Sequence, residues 1–124
     1  MISIAFLFYY LDDDDDPFGY TLEVFEELTR RSTPSGGLVL NESLPRVDRW
    51  LVQMDWQLET EMEWVEYSEW LHRELTTDFE LLDCSEATLL YSRRLEGDRH
   101  RIEFRVLRTG PPLRVAIRLV TSPD

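Results

Sequence analysis

The chain has 124 residues, enough for one hydrophobic core, so residues 1–124 are predicted to form a single globular domain. Its 25 acidic and 13 basic residues give a net charge of −12, which disfavours nucleic acid and anionic membranes as partners and favours a basic protein. The one cysteine excludes an internal disulfide, and we expect a cytoplasmic protein.

The N-terminal residues 1–11 form a predominantly apolar and aromatic run. Its length is typical of a strand and too short to span a bilayer, so we predict a central strand of a sheet. An acidic segment follows, here called the aspartate run, which consists of Asp12, Asp13, Asp14, Asp15 and Asp16. Pro17 then suits the first turn of a helix, with Asp16 as its N-cap.

A first helix is predicted after Pro17, because apolar residues recur there at helical spacing. Its apolar stripe consists of Phe18, Leu22, Phe25 and Leu28. On the outer face, Glu27 and Arg31 stand four residues apart, a spacing that favours an ion pair. We expect this helix to end at the loop over residues 32–37, followed by a short strand at Leu38–Leu40 and a turn at 41–45.

Residues 48–59 are predicted to form a strand, because apolar and polar residues alternate there. The apolar positions are Trp50, Val52, Met54, Trp56 and Leu58. A helical interpretation also exists, since apolar residues recur at three- and four-residue spacing from Val47 to Val65. It would expose Val52 and Trp56, whereas the strand exposes only Leu51. Trp50 and Trp56 are therefore expected in the core.

A second helix is predicted over residues 61–75, with Thr60 capping the turn before it. Its apolar stripe is expected to contain Met62, Val65, Leu71 and Leu75. Its acidic outer face is expected to contain Glu59, Glu63, Glu66 and Glu74. Glu69 and Arg73 have the spacing of an ion pair. Trp64 and Trp70 lie among glutamates, so we expect them to be exposed.

The C-terminal third predicts an antiparallel meander of three strands over residues 88–95, 100–108 and 113–121, after an irregular segment or short strand at 76–86. The core-facing positions of the second and third strands are Ile102, Phe104, Val106, Leu113, Val115, Ile117 and Leu119. The opposite faces carry Arg101, Arg105, Arg114 and Arg118. No aromatic residues separate these arginines, so we expect them to pair with Glu103 or the acidic helix and not to bind RNA.

These elements predict an α+β fold with a mostly antiparallel sheet. The sheet would contain the N-terminal strand, the central strand and the C-terminal meander, with about two helices packed on one face.

No arrangement of residues predicts catalysis, a cofactor or a metal site. The aspartate run lacks the spacing of a calcium loop, so we interpret it as a solvated acidic turn. Glu69 and His72 form a single Glu-x-x-His pair, where di-metal sites need two. Cys84 is expected to be a buried small apolar residue.

The composition favours a binding protein over an enzyme: a small acidic inhibitor that neutralises a basic protein. An immunity protein against a bacterial toxin such as a nuclease is the type, and an inhibitor that mimics DNA is a close variant. The candidate partner-binding residues are Asp12, Asp13, Asp14, Asp15, Glu59, Glu63, Trp64, Glu66, Tyr67 and Trp70. The alternatives are a metal-dependent enzyme, using the aspartate run with His72 or His100, and an oligomeric structural subunit.

Overall fold

The computed structural model describes residues 17–49 and 51–123, with the side chains of the first helix described from Leu22 onwards. The predicted strand over residues 1–11, the aspartate run and Trp50 lie outside the described residues. The helices are α1 (Pro17–Ser32) and α2 (Trp64–Leu75). The strands are β1 (Leu38–Leu40), β2 (Arg46–Asp48), β3 (Leu51–Thr60), β4 (Glu80–Cys84), β5 (Thr88–Leu95), β6 (Asp98–Arg108) and β7 (Leu113–Pro123).

The seven described strands form one antiparallel sheet in the order β1-β3-β7-β6-β5-β4, and β2 pairs with β3 beside β1. Two helices and an antiparallel sheet confirm the predicted α+β fold. The meander is confirmed as β5, β6 and β7, which pair in sequence along most of their lengths. The sequence allowed either an irregular segment or a short strand at residues 76–86. The structure has strand β4 there, paired with β5 on the side opposite β6.

Strand β3 shows the burial pattern that its alternating sequence predicts. Val52, Met54, Trp56, Leu58 and Thr60 are buried, while the residues between them are exposed or half-buried. The strand begins at Leu51 and not at residue 48. Arg49 adopts a positive φ of 56°, and the chain turns there from β2 into β3, so that Asp48 pairs with Leu51.

Both described helices pack on the face of the sheet that carries these buried residues. Phe25 of α1 meets Trp56 edge to face, with ring centroids 5.1 Å apart, which confirms Trp56 as a core residue. Helix α2 begins at Trp64, three residues later than predicted, and buries Tyr67, Leu71 and Leu75. The expected apolar stripe is wrong at Val65, because that side chain is 62% exposed. An i, i+4, i+8 stripe starting from Tyr67 faces the sheet instead.

Candidate functional site

Helix α2 and the three residues before it present acidic side chains to solvent, and we call them the α2 acidic surface. Its members, all exposed, are Glu61, Glu63, Glu66, Glu69 and Glu74. Within the part of the chain that the structure describes, none of them forms an ion pair, and the predicted Glu69–Arg73 pair is not made. Glu63 and Glu66 also lie at the helix N-terminus, where negative charge stabilises the helix. Thr60 Oγ1 accepts a hydrogen bond from the Met62 amide at 3.2 Å, so the predicted cap forms.

Three aromatic rings lie along α2 in one row. The ring centroids of Trp64 and Tyr67 are 6.2 Å apart, and those of Tyr67 and Trp70 are 5.9 Å apart. Trp64 and Trp70 are half-buried against the core, so each exposes only part of its ring, less than expected. The half-exposed tryptophans therefore flank the α2 acidic surface.

Tyr67 is fully buried and is not accessible to a partner, which corrects its place among the partner-binding candidates. Its hydroxyl donates a hydrogen bond to the Ser32 carbonyl at 2.7 Å and so ties α2 to the end of α1. Burial raises the pKa of this hydroxyl well above its usual value, so the donor proton stays in place. The helical stripe of Tyr67, Leu71 and Leu75 is the sequence signal for this burial.

Glu59 does not belong to the acidic helix, and that expectation is wrong. It lies in β3, on the sheet face directed away from both described helices, because β3 continues to Thr60. Arg114 of β7 stands directly opposite Glu59 and forms an ion pair with it. Of the remaining candidates, Glu63, Trp64, Glu66 and Trp70 come together on α2, while Asp12, Asp13, Asp14 and Asp15 lie outside the described residues.

The arginines of the open sheet face find acidic partners on neighbouring strands. Arg118 Nε lies 2.9 Å from Asp55 Oδ1, and Arg114 pairs with Glu59. Glu103, the expected partner, stands opposite Arg118 in the register of β6 and β7. Burial alone would raise the pKa of Asp55, but hydrogen bonds from Arg118 and Gln53 lower it below its usual value. Arg114 and Arg118 therefore form local ion pairs, as expected. Their carboxylate partners belong to β3 and not to the acidic helix.

A network of charges around the buried Arg93 joins the end of α1 to the sheet, and the sequence patterns did not single it out. Arg93 of β5 has a side chain only 5% exposed, and its guanidinium pairs with Glu27 at 2.7 Å and with Asp78 at 2.8 Å. Arg31 pairs with the same two carboxylates, at 3.0 and 2.7 Å, so the predicted Glu27–Arg31 pair forms. Arg93 was recognisable from the alternation of Leu89, Tyr91 and Arg93 on the inward face of β5.

This network fixes the protonation states of its members. The hydrogen bond from Arg93 holds the pKa of Glu27 below its usual value. Burial alone would raise the pKa of Asp78, but hydrogen bonds from Arg31 and Arg93 lower it. His100 Nδ1 accepts a hydrogen bond from Arg93 Nε at 2.9 Å, and burial beside that positive charge lowers the pKa of His100 to about 4. The carboxylates are thus ionised and His100 neutral near pH 7, as expected for a structural charge cluster.

A groove of about 370 Å³ separates α2 from the edge of the sheet. Its lining is Ser68, Glu69, His72 and Arg73 from α2, Leu81 and Cys84 from β4, and Leu89 and Tyr91 from β5. Cys84 is exposed, which contradicts the expectation of a buried thiol. The reason is that β4 has a described strand on one side only. Within the groove, His72 Nδ1 and the Tyr91 hydroxyl form a hydrogen bond of 3.0 Å.

Among the described residues no group of three or more histidine, cysteine or acidic side chains is arranged to hold a metal ion. Glu69 and His72 are both exposed on α2. No helix of the described chain is long and apolar enough to cross a membrane.

Comparisons with known proteins do not assign a family. No protein-family model matches the chain, and no curated protein matches it. Among solved structures, the crystal structure of LpqN, described as involved in cell envelope biogenesis of Mycobacterium tuberculosis, matches with a TM-score of 0.37 and 13% sequence identity. The match covers 74% of this chain and 69% of that chain. A similarity of this size supports no inference about function.

Proposed function

We propose that the chain is a small acidic binding protein that inhibits a basic protein partner through the α2 acidic surface. The specific class of inhibitor proposed is an immunity protein that neutralises a bacterial toxin, such as a nuclease. Under this proposal the protein acts in the cytoplasm, where it meets the toxin before the toxin acts on the cell.

The supporting observation is an uneven use of charge. Arg31, Arg93, Arg114 and Arg118 are engaged by Glu27, Asp55, Glu59 and Asp78. The carboxylates of α2 have no such partners among the described residues. Uncompensated charge on one side of a molecule steers a partner of opposite charge and raises its association rate.

Half-exposed aromatic rings add apolar contact area to that surface. Trp64 and Trp70 are held in place by Tyr67 and by the core, and Val65 is 62% exposed between Glu63 and Glu66. A tryptophan that is already ordered loses little side-chain entropy on binding, and tryptophan is enriched at interface hot spots. The proposal therefore assigns steering to the carboxylates and anchoring to Trp64 and Trp70.

The test compares two matched double variants of the full chain in capture experiments from its own cells, with bound proteins quantified by mass spectrometry. Glu66→Gln with Glu69→Gln removes two charges from α2, whereas Glu23→Gln with Glu26→Gln removes two exposed charges from α1 at the same spacing. At low salt we expect the wild-type chain to capture one basic protein in about equimolar amount. The α2 variant should bind that protein about tenfold more weakly, and the α1 variant should bind it like the wild type.

Equal capture by both variants would contradict the proposal, as would capture that high salt does not weaken, because exposed charge interactions are screened. The DNA-mimic variant of the proposal is tested in the same experiment. A short DNA duplex should displace the captured protein if the inhibitor occupies a nucleic-acid-binding surface.

A further inference from the structure

Helix α2 places Trp70 between two glutamates on one stripe. Glu66 stands four residues before Trp70 and Glu74 stands four residues after it, so the three side chains follow one another along the same face of the helix. Glu63, the N-cap, precedes Glu66 by three residues and extends the stripe. We call these four residues the Trp70 stripe. The three carboxylates are exposed and Trp70 is half-buried, so part of its ring is open to solvent beside them.

The carboxylates of the Trp70 stripe are not neutralised by ion pairs among the described residues. Arg31 reaches the backbone carbonyl of Glu74 at 2.6 Å, but its charge is engaged by Glu27 and Asp78. Arg73 is exposed and stands three residues after Trp70, and within the part of the chain that the structure describes it forms no ion pair with these carboxylates. The stripe is therefore acidic and complementary to a cationic group.

The chain itself shows what this combination of groups can hold. Arg93 lies over the Phe79 ring, 4.7 Å from the centroid, while Glu27 and Asp78 bind its guanidinium. An aromatic ring and two carboxylates thus hold an arginine beside the end of α1. The Trp70 stripe presents the same kinds of group at the surface, and the cation–π contacts of the described residues are made on Phe79 and not on Trp70.

A guanidinium suits this stripe better than an ammonium group does. It is planar, so it can lie flat on an indole ring while its N–H groups donate to carboxylates beside the ring. An ammonium group has no flat face and is more strongly hydrated. The Trp70 ring is ordered before binding, because it packs against the core and lies 5.9 Å from the Tyr67 ring between centroids.

We propose that the Trp70 stripe binds an arginine side chain of the partner, with the guanidinium on the Trp70 ring and hydrogen-bonded to Glu66 or Glu74. This inference rests on the proposed function and names the residue type that the α2 acidic surface recognises. The surface attracts any cationic segment, and the Trp70 stripe selects arginine over lysine.

The test measures the preference of the full chain for arginine over lysine in short peptides. Three fluorescein-labelled nonapeptides alternate glycine with arginine, with lysine or with citrulline, which has the shape of arginine without its charge. Affinity is measured by fluorescence anisotropy at low salt for the wild type, Trp70→Leu and Trp64→Leu. Trp64 is the matched control, because it is also half-buried on α2 but has Ser68, and not a glutamate, four residues after it.

We expect the wild type to bind the arginine peptide about fivefold more tightly than the lysine peptide, and to bind the citrulline peptide far more weakly than either. Trp70→Leu should reduce the ratio of the two affinities to about one, whereas Trp64→Leu should keep it. Both affinities are measured on the same variant, so a partial loss of folded protein cancels in their ratio.

The outcomes separate this inference from the proposed function. Equal binding of the arginine and lysine peptides by the wild type overturns the inference and leaves the α2 acidic surface standing. A preference that Trp70→Leu retains, or that Trp64→Leu also removes, overturns it in the same way. Binding of neither cationic peptide contradicts both, and so does a citrulline peptide that binds as tightly as the arginine peptide, because charge then plays no part.

Discussion

At the scale of single residues, Arg93 shows how the fold keeps a charged side chain inside. Its guanidinium has a hydrogen-bonding partner for each nitrogen: Glu27 and Asp78 for the two terminal nitrogens and His100 for Nε. It also lies over the Phe79 ring, 4.7 Å from the centroid. Charged groups inside proteins are tolerated when they are paired and hydrogen-bonded in this way.

We expect Arg93→Met to lower the free energy of unfolding by about 2 kcal/mol. The loss stays below that of a fully buried pair, because Glu27 and Asp78 are partly exposed and retain Arg31. Arg101→Met, at an exposed position, should change stability by less than about 0.5 kcal/mol. Urea unfolding checks both, and equal stability of the two variants would show that the network contributes nothing.

His100 predicts a dependence of stability on pH. In the fold its pKa is about 4, because burial beside Arg93 disfavours the charged ring, whereas in the unfolded chain it is near 6.5. The unfolded chain therefore binds the proton more readily than the fold does. The contribution of neutral His100 to the free energy of unfolding is complete above pH 6.5 and is lost as the pH falls towards 4. Protonation of Nδ1 would also remove the acceptor for Arg93 Nε.

Through His100, the free energy of unfolding of the wild-type chain should fall by about 2 to 3 kcal/mol between pH 6.5 and pH 4.5. His100→Asn offers Arg93 an acceptor that does not titrate, so its stability should vary much less over this range. His72→Asn, at an exposed position, should behave like the wild type. Urea midpoints at several pH values measure the slopes, and a wild-type slope in His100→Asn would refute this role for His100.

At the scale of secondary-structure elements, the contact between the two helices depends on a buried hydrogen bond. Tyr67 of α2 donates to the Ser32 carbonyl, and Ser32 Oγ itself donates to the Leu28 carbonyl at 2.6 Å. One hydrogen bond thus lies within the last turn of α1, and the other joins that turn to α2. Without the Tyr67 hydroxyl, a buried carbonyl would lose its partner.

Tyr67→Phe should lower the free energy of unfolding by about 1 to 2 kcal/mol, because it leaves the Ser32 carbonyl unsatisfied. Tyr91→Phe is the matched control: its hydroxyl bonds to the exposed His72, which water can satisfy, so its loss should be smaller. Partner binding should be unaffected by Tyr67→Phe, since Tyr67 is buried. Thermal unfolding compares the stability of the two variants. Equal losses of stability would contradict a structural role for the Tyr67–Ser32 hydrogen bond.

The sequence predicted these elements where a periodic pattern was long enough to read. Alternation over ten residues identified β3, and turn residues between apolar runs separated β5, β6 and β7. The turn at Arg49 was missed because a positive φ is usually marked by glycine or asparagine, and here an arginine adopts it. The exposure of Cys84 could not be predicted, because it depends on which strand lies at the sheet edge, and local patterns carry no information on strand order.

At the scale of the whole molecule, the fold distributes charge by pairing. Composition predicted an acidic surface, but it did not say which carboxylates the arginines would engage. Strand β3, α1 and the turn after α2 bring Asp55, Glu59, Glu27 and Asp78 to arginines, through contacts between residues that are distant in the sequence. Glu66, Trp64 and Trp70 lie on one helix with Glu63 as its N-cap, as helical spacing indicated, whereas Glu59 was misplaced because β3 ends beyond it.

The most direct measurement for the central claim is titration calorimetry of the captured basic protein with three chains: the wild type, the α2 double variant and the α1 double variant. At about 50 mM salt we expect the α2 variant to bind about tenfold more weakly than the other two, and at about 300 mM salt the difference should shrink, because screening weakens exposed charge interactions. Equal affinities of the two double variants at low salt would contradict the assignment of binding to the α2 acidic surface.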